Sequence, residues 1–398
     1  MLTSSYPKFP GDVTAPFIES IARSVAARGH QVDVVLPHHP DLLRGENEPV
    51  RFFPYRYAPD AWSFWGYARS LESDVRVRPS VYLLFPFAAA ALRAAVSARL
   101  QASRYDVVHA HWVVPNAALV QDIAGAHRVP LMVSLHGSDV FLAERLAPAR
   151  ALARRAFARA GAVTACSADL HARALALGAR PERTRTVPYG VDLEAFSPER
   201  RVSGWRERLG IPADDLLVVA FGRLVEKKGF GHLVEAAALV PGVSVVIAGE
   251  GDLRSELLFR IRERGVPVRL VGSLDREAMA DALVAADVVA VPSVVDRAGN
   301  VDGLPNALLE AFAAGRAVVA SRVAGIPDLV EHDVTGLLVP PGDPAALAAA
   351  LDRLAREPAT RRRLGRAARE DALRRLSWDE AARRFEEGYA EAAALDTR

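Results

Sequence analysis

Several short segments of this chain combine residue types that could bind and activate an anionic substrate. In "GRLVEKKGF", Arg223 and Lys228 stand just ahead of an apolar helical pattern that begins near Phe230, and together they form a cationic clamp suited to phosphate. Of 50 basic residues only three are lysines, Lys8 in the first strand-to-helix loop of the first half of the chain and Lys227 and Lys228 in that of the second. A chain so biased toward arginine places lysine where a compact point charge serves better than a planar fork. In "NVDGLPNALLEAFAAG", Gly303 frees the backbone and Pro305 suits a first helical turn, so the amides there point at the loop mouth. Asp302 stands at that mouth and Glu310 deeper, among Ala307, Leu308, Leu309, Ala311 and Phe312. A carboxylate in so apolar a setting needs a hydrogen-bonding partner, and a ribose diol is a good one.

Three further segments are polar at strand ends. "HGSDV" sets His136 and Asp139 beside Gly137, and "VVHAHW" carries His109 and His111. A single histidine at a strand end reads first as structural until a partner site is found, and for His109 that reading is favoured. In "PKFPGD", Gly11 lets the backbone approach a ligand, and the following helix turns its positive end there. This loop could seat a phosphate or be a plain turn with a helix cap.

The elements that must hold these residues alternate. Apolar, β-branched runs at 32–36, 106–109, 131–135, 163–166, 216–221, 243–248, 287–291 and 317–321 are each followed by a helical pattern. Such alternation predicts an α/β fold of doubly wound parallel sheets, whose ligands sit outside the carboxyl ends of the strands. The spacing predicts a helix over 13–28, with Asp12 as cap, Phe17, Ile21 and Val25 on one face and Gly29 at its end. Met1 to about Ser5 leaves room only for a short first strand, unless the true start lies upstream. The stretch 187–215 is rich in Pro, Gly and charge and reads as a linker, placing a domain boundary near residue 195. The expected domains are 1–195 and 196–377, and the helical segment 378–394 could pack on either.

At 398 residues the chain suits two domains. A net charge of +2 with no long run of one sign argues against nucleic acid as a partner. Cys166 is the only cysteine, so no internal disulfide or thiolate metal cluster forms, and a reducing compartment fits. "MLTSSYPKFPGD" lacks the basic and apolar regions of a secretory signal, and the expected location is cytoplasmic. The apolar stretch 81–96 contains Pro86 and Arg93 and falls short of the roughly 20 residues that span a bilayer, so no membrane crossing is expected. Eight of the 28 aromatic residues fall between Phe52 and Tyr67: Phe52, Phe53, Tyr55, Tyr57, Trp62, Phe64, Trp65 and Tyr67. Interleaved with Arg51, Arg56 and Arg69, they could stack on sugar rings, meet an anionic membrane surface, or form a satellite hydrophobic cluster.

The chain resembles glycosyltransferase family 4, retaining enzymes of the GT-B fold, whose hallmark is an acid, seven residues and a Glu, here "DGLPNALLE". "SSYPKFPGD", "ARGHQVDVVLP", "HAHW", "HGSDVF", "VPYGVDLEAF", "GRLVEKKG", "AGEGDLR" and "EAFAAGRAVVAS" follow in the family's order over nearly the whole chain. The resemblance implies two Rossmann-like domains facing a cleft, an amino-terminal acceptor side and a carboxy-terminal donor side, and a last helix that returns to the first domain. It implies that Glu310 binds the donor ribose, and that Asp302 with the backbone of Gly303, Leu304, Pro305 and Asn306 holds the transferred sugar and diphosphate. Arg223 and Lys228, joined by Gly11, would bind the diphosphate. His136 would lie beside the reacting sugar, and Glu250, Gly272, Ser273 and Leu274 would frame the base. The first acid is Asp302 where many members have Glu.

These readings give a catalytic set of His136, Arg223, Lys228, Asp302 and Glu310, with Trp62, Trp65, Tyr67, His111 and Asp139 as acceptor candidates. The donor is a UDP- or GDP-linked sugar and the acceptor a saccharide, a small molecule or a lipid-linked glycan, with peripheral contact at the inner membrane face. No Asp-x-Asp triplet occurs, so no metal and no other cofactor is expected; cations and helix amino termini would stabilise the leaving diphosphate. The competing readings are a nucleotide-sugar epimerase or phosphorylase of the same architecture and a non-catalytic carbohydrate- or membrane-binding protein. A dinucleotide oxidoreductase is weaker, because "GEGDLR" lacks the third glycine of that fingerprint.

Overall fold

The computed structural model describes the chain except residues 13, 46, 63, 64, 68–70, 74, 75, 78, 201–203, 397 and 398, with 71–73, 76, 77, 79, 395 and 396 described in backbone only. The chain forms two compact units, one of 1–189 with 378–398 and the other of 190–377.

The strands of the first unit are β1 (Asp33–Pro37), β2 (Arg51–Tyr55), β3 (Leu71–Ser73), β4 (Arg76–Val77), β5 (Val108–His111), β6 (Leu131–Leu135), β7 (Ala162–Ala165) and β8 (Thr184–Thr186). Its helices are α1 (Pro16–Ala27), α2 (Pro79–Ala102), α3 (Ala118–Ala126), α4 (Ser138–Arg145), α5 (Ala147–Arg159) and α6 (Ala168–Ala176). β1 pairs in parallel with β2, β5 to β8 run in parallel in that order, and β3 and β4 form an antiparallel pair. The first strand is shorter than expected: Leu2 alone bridges Val35 of β1 and Ala110 of β5, both in parallel. Its N–H donates to the His109 carbonyl at 2.8 Å and its carbonyl accepts from His111 N–H at 2.9 Å, while Thr3 N–H donates to the Val35 carbonyl at 3.1 Å and the Met1 carbonyl accepts from Val35 N–H at 2.9 Å, so this short segment joins both groups of strands.

The second unit holds β9 (Leu216–Phe221), β10 (Val243–Ala248), β11 (Val268–Leu270), β12 (Val288–Val291), β13 (Ala317–Ser321) and β14 (Leu337–Val339) in one parallel sheet, ordered β11-β10-β9-β12-β13-β14. Around it lie α7 (Trp205–Arg208), α8 (Phe230–Ala237), α9 (Arg254–Arg264), α10 (Arg276–Ala285), α11 (Asn306–Ala313), α12 (Pro344–Arg356) and α13 (Pro358–Arg375). β9 and β10 are buried along their whole length, as apolar strands covered on both faces must be. Both units are therefore Rossmann-like. α14 (Trp378–Asp396) lies against α1, β6 and β7 of the first unit.

Two expectations about helices are corrected. α1 begins at Pro16 rather than 13, a residue outside those described, and Asp12 does not cap it. The Asp12 carboxylate instead accepts from the backbone N–H of Lys8 at 2.9 Å and of Thr14 at 3.1 Å, closing the loop ahead of the helix. Ile18, Ile21, Ala22 and Val25 form the buried stripe, and Phe17 lies beside it, half-buried. The second correction concerns 81–96. Neither Pro86 nor Arg93 interrupts it, and α2 runs 24 residues, long and apolar enough in length and composition to cross a membrane. Val81, Ala88, Leu92 and Val96 seat it on β1, β2 and α3, while Tyr82, Leu83 and Phe87 remain 70%, 77% and 64% exposed.

Candidate functional site

In the second unit, the loops at the carboxyl ends of β9, β10 and β12 close on one another. A Cβ at Gly229 would sit 1.8 Å from the Pro292 carbonyl oxygen, and one at Gly249 would sit 1.9 Å from that of Gly222. Only glycine lets these backbones approach so nearly, and Val294 N–H donates to the Lys227 carbonyl at 2.9 Å across the same junction. The closure brings Lys228 Nζ to 2.9 Å from Asp302 Oδ2. Ser293, which sequence reasoning missed, donates its hydroxyl to the same oxygen at 3.3 Å. Burial pushes the Asp302 carboxyl up, but Lys228, Lys227 and Arg223 outweigh it and hold the group below the ordinary carboxylate value.

Gly303, Leu304 and Pro305 are buried and lead into α11, whose first residue is Asn306. No side chain caps this amino terminus, so its first-turn amides face the loop mouth available to an anion. Glu310, one turn further in, is pushed up to about 7 by burial, against the pull of Arg276 and Lys228. Glu250 is exposed and pairs with Arg254 at 3.3 Å, while Gly249 N–H donates to the Gly272 carbonyl at 2.8 Å. Glu250 and Gly272 thus lie together at the ends of β10 and β11, with Ser273 exposed and Leu274 half-buried next to them.

In the first unit, three histidines gather at the ends of β5 and β6. His136 Nε2 lies 3.0 Å from His111 Nδ1, and His136 Nδ1 lies 2.7 Å from the Tyr189 hydroxyl. The Phe17 and Trp112 rings each pack 5.0 Å from the His136 ring. His109 bonds to Tyr389 of α14 at 2.9 Å and to Ser134 at 2.6 Å, continuing to Thr164 at 2.6 Å. Burial pulls His136 down to about 3 and the other two well below their ordinary value, so all three are neutral imidazoles near pH 7. Tyr189, in the stretch expected to be linker, carries no local signal of this role, because the preceding strand β8 is only three residues long.

Several acceptor candidates are corrected. His111 is fully buried, so it cannot touch a substrate as it stands. Asp139 is 2% exposed, and its carboxylate accepts from the N–H groups of Val113 at 2.8 Å, Gly137 at 3.1 Å and His136 at 3.3 Å. It is scaffold for the histidine loop, pushed up to about 6 by burial against those bonds. Tyr67 is 6% exposed and donates its hydroxyl to the Pro37 carbonyl at 2.8 Å. Trp65 packs edge-on against Phe85, and only Trp62, 61% exposed, presents a large open face. Phe52, Phe53 and Tyr55 belong to β2, with Phe53 under the Arg99 guanidinium at 3.9 Å. Arg51 and Arg56 pair with Asp33 and Asp60. Phe64 and Arg69 lie outside the described residues. The aromatic run is therefore chiefly a satellite core.

Gly11 is exposed at φ 90° on the tip of the loop before α1. Lys8, in the same loop, lies 2.5 Å from Asp12 and 3.2 Å from the Thr14 hydroxyl.

Comparison with known proteins adds the following. Residues 15–195 match the family model described as Glycosyltransferase Family 4, and residues 203–371 match that described as Glycosyl transferases group 1. The chain is 35% identical to the D-inositol 3-phosphate glycosyltransferase of Xylanimonas cellulosilytica over 331 residues, 78% of this chain and 77% of that one. It is 33% identical to the amylovoran biosynthesis glycosyltransferase AmsK of Erwinia amylovora over 225 residues, 55% of this chain and 53% of AmsK. Its fold matches the crystal structure of Anabaena HepE in complex with UDP-glucose with a TM-score of 0.75 at 21% identity, covering 98% of both chains.

Proposed function

The chain belongs to glycosyltransferase family 4 and has its GT-B fold, and from that premise we propose that it transfers a hexose, with retention of configuration and without a divalent metal ion, from a UDP- or GDP-linked donor. The observation that carries this reading is the join between Lys228, Asp302 and the uncapped start of α11, with Glu310 inside it. Breaking the anomeric bond leaves charge on the departing diphosphate. Arg223, Lys228 and the α11 amides supply fixed positive poles where that charge develops, which is the arrangement that lowers a barrier of this kind. Asp302 keeps Lys228 oriented and accepts hydrogen bonds from sugar hydroxyls. Glu310 accepts from the ribose diol, and the loop ends at Glu250, Gly272, Ser273 and Leu274 border the base.

His136 is an uncharged hydrogen-bonding group near pH 7. A group with a basicity near 3 supplies hydrogen bonds but neither a cation nor a general acid at neutral pH. The family resemblance implies that the acceptor proton leaves by way of the departing phosphate, on the same face of the sugar, and no side chain is assigned as nucleophile.

The acceptor is a saccharide carried on lipid. Support comes from the exposed apolar face of α2, Tyr82, Leu83 and Phe87, and from the open ring of Trp62, which suit peripheral contact with a membrane surface. Its relative AmsK is named for amylovoran biosynthesis, and a role in building a bacterial glycan is proposed by analogy. The test is thermal stabilisation by UDP, GDP, ADP and NAD, with Glu310→Ala as control. One nucleoside diphosphate should stabilise the protein, by roughly 2.7 kcal/mol at 100 times its dissociation constant, and Glu310→Ala should lose the effect. Stabilisation by NAD alone, or by none, overturns the reading.

A further inference from the structure

Four side chains of the first unit stand in one line of hydrogen bonds: His111, His136, Tyr189 and Cys166. His111 Nδ1 lies 3.0 Å from His136 Nε2, His136 Nδ1 lies 2.7 Å from the Tyr189 hydroxyl, and that hydroxyl is bonded in turn to the Cys166 thiol. His111, Tyr189 and Cys166 are buried. A neutral imidazole has one N–H and one bare nitrogen, so every link in such a line has a direction and the links must agree.

Two arrangements satisfy that condition. In one, Tyr189 O–H donates to His136 Nδ1, His136 Nε2–H donates to His111 Nδ1, and the proton of His111 sits on its Nε2. In the other, His111 Nδ1–H donates to His136 Nε2, His136 Nδ1–H donates to the Tyr189 oxygen, and Tyr189 O–H donates to the Cys166 sulfur.

The far end of the line decides between them. His111 Nε2 is buried and meets no hydrogen-bond partner. The first arrangement puts an N–H there, and a buried N–H without an acceptor is the rarer fault in folded proteins. The second leaves only a lone pair unmatched at that atom and gives every N–H and O–H of the line an acceptor.

We propose that His111 and Tyr189 are positioning residues, which fix His136 as its Nδ1–H tautomer and hold its ring in place. Any part for His136 in sugar transfer rests on the function proposed above; the tautomer does not. With its N–H given to Tyr189 and its lone pair taken by His111, this imidazole neither accepts nor releases a proton, which leaves the acceptor proton to another group.

The experiment is long-range ¹H–¹⁵N correlation of the full chain labelled in histidine, where protonated and bare ring nitrogens resonate far apart, followed by steady-state kinetics. His111 and His136 should each show a protonated Nδ1 and a bare Nε2 near pH 7. Tyr189→Phe keeps a ring against Phe17, now 4.9 Å away, but removes the acceptor, so His136 should move largely to its Nε2–H form. Turnover should then fall about tenfold while KM for the nucleotide-sugar changes by less than about twofold. His111→Gln can still donate an N–H to His136 and should keep the parent tautomer and most of the turnover, whereas His111→Leu should lose both. A loop that was merely loosened would lower the melting temperature without changing the tautomer. A bare Nδ1 on His136 in the parent, or an unchanged tautomer in Tyr189→Phe, would overturn the proposal. If instead the transferase reading fails, no form of the protein consumes a nucleotide-sugar, and the tautomers still decide this inference.

Discussion

The loops after β9 and β12 hold their charges by pairing them, whereas the loops after β5 and β6 hold their ionisable groups by removing the charge. In the second unit a half-buried acid stays ionised because Lys228 stands 2.9 Å away, with Lys227 and Arg223 adding to its pull. In the first unit three histidines are packed against aromatic rings, His111 bonded to His136, His136 to Tyr189 and His109 to Tyr389, and burial leaves them neutral. On the function proposed above, the contrast would divide labour: fixed charge for a departing diphosphate, neutral hydrogen-bonding groups for a sugar. It also predicts that the two sides respond differently to mutation and to pH.

The largest effect should come from Lys228. Lys228→Ala removes one preorganised cation and leaves Asp302 without its partner, so turnover should fall about 100-fold to 1,000-fold in steady-state kinetics. His136→Gln keeps a neutral hydrogen-bonding side chain and should lose less. Equal losses in both would erase the contrast.

Next is Asp139, which supports the histidine loop from beneath. Asp139→Asn presents an amide NH₂ to backbone N–H groups that the carboxylate now satisfies, and leaves at least one of them unpaired. The expected loss is about 1–3 kcal/mol of stability, seen as a drop of several degrees in melting temperature by calorimetry. Turnover at a temperature where the variant is fully folded should change less than in Lys228→Ala, since this carboxylate meets backbone rather than substrate.

The two sides were legible in the sequence to different depths. "DGLPNALLE" and "GRLVEKKGF" could be read because each packs its chemistry into one loop and the helix that follows, so local spacing fixes the geometry. The long strands at 131–135, 216–221, 243–248 and 317–321 were visible for the same reason, as continuous apolar runs. The histidine cluster was not, because His111, His136 and Tyr189 meet only when β5 and β6 pair and the chain returns after β8. Parallel pairing joins distant segments, and no periodicity announces it. β2 was missed since Arg51–Tyr55 contains Pro54 and is only partly buried, and its aromatics look like a binding surface until their packing on Tyr6 and under Arg99 is known. β8, β11 and β14 are three residues each, too short to register.

A smaller effect, and one with a direction, comes from pH. Glu310 has an ordinary value of 4.5 and is raised to about 7 in the fold, so the folded protein holds a proton there between those limits. Its contribution to stability is therefore greatest in acid and is lost as pH rises from 4.5 through 7, which Glu310→Gln should flatten. Binding should run the other way. Above pH 7 the carboxylate accepts from both hydroxyls of a ribose diol, so nucleoside diphosphate affinity should rise about fivefold between pH 6 and 8, and not in Glu310→Gln. His136, near 3, adds no slope in this range. A slope that survives Glu310→Gln would assign the titration elsewhere.

The smallest effect on folding, and the sharpest separation within the aromatic run, should come from Trp62 against Tyr67. Trp62 is 61% exposed and Tyr67 only 6%, although both are aromatic rings in one run that sequence alone could not tell apart. Trp62→Ala should change stability by no more than about 0.5 kcal/mol, as surface substitutions do, whereas Tyr67→Ala empties a buried site and should cost about 3–5 kcal/mol. Co-sedimentation with anionic lipid vesicles should reverse the ranking: Trp62→Ala, and more so Trp62→Ala combined with Phe87→Ala, should lose several-fold in bound fraction, because an interfacial ring contributes only where it is open to lipid. If the folded double variant partitions as the parent does, the exposed face of α2 is not a membrane contact, and the acceptor must be sought among water-soluble saccharides.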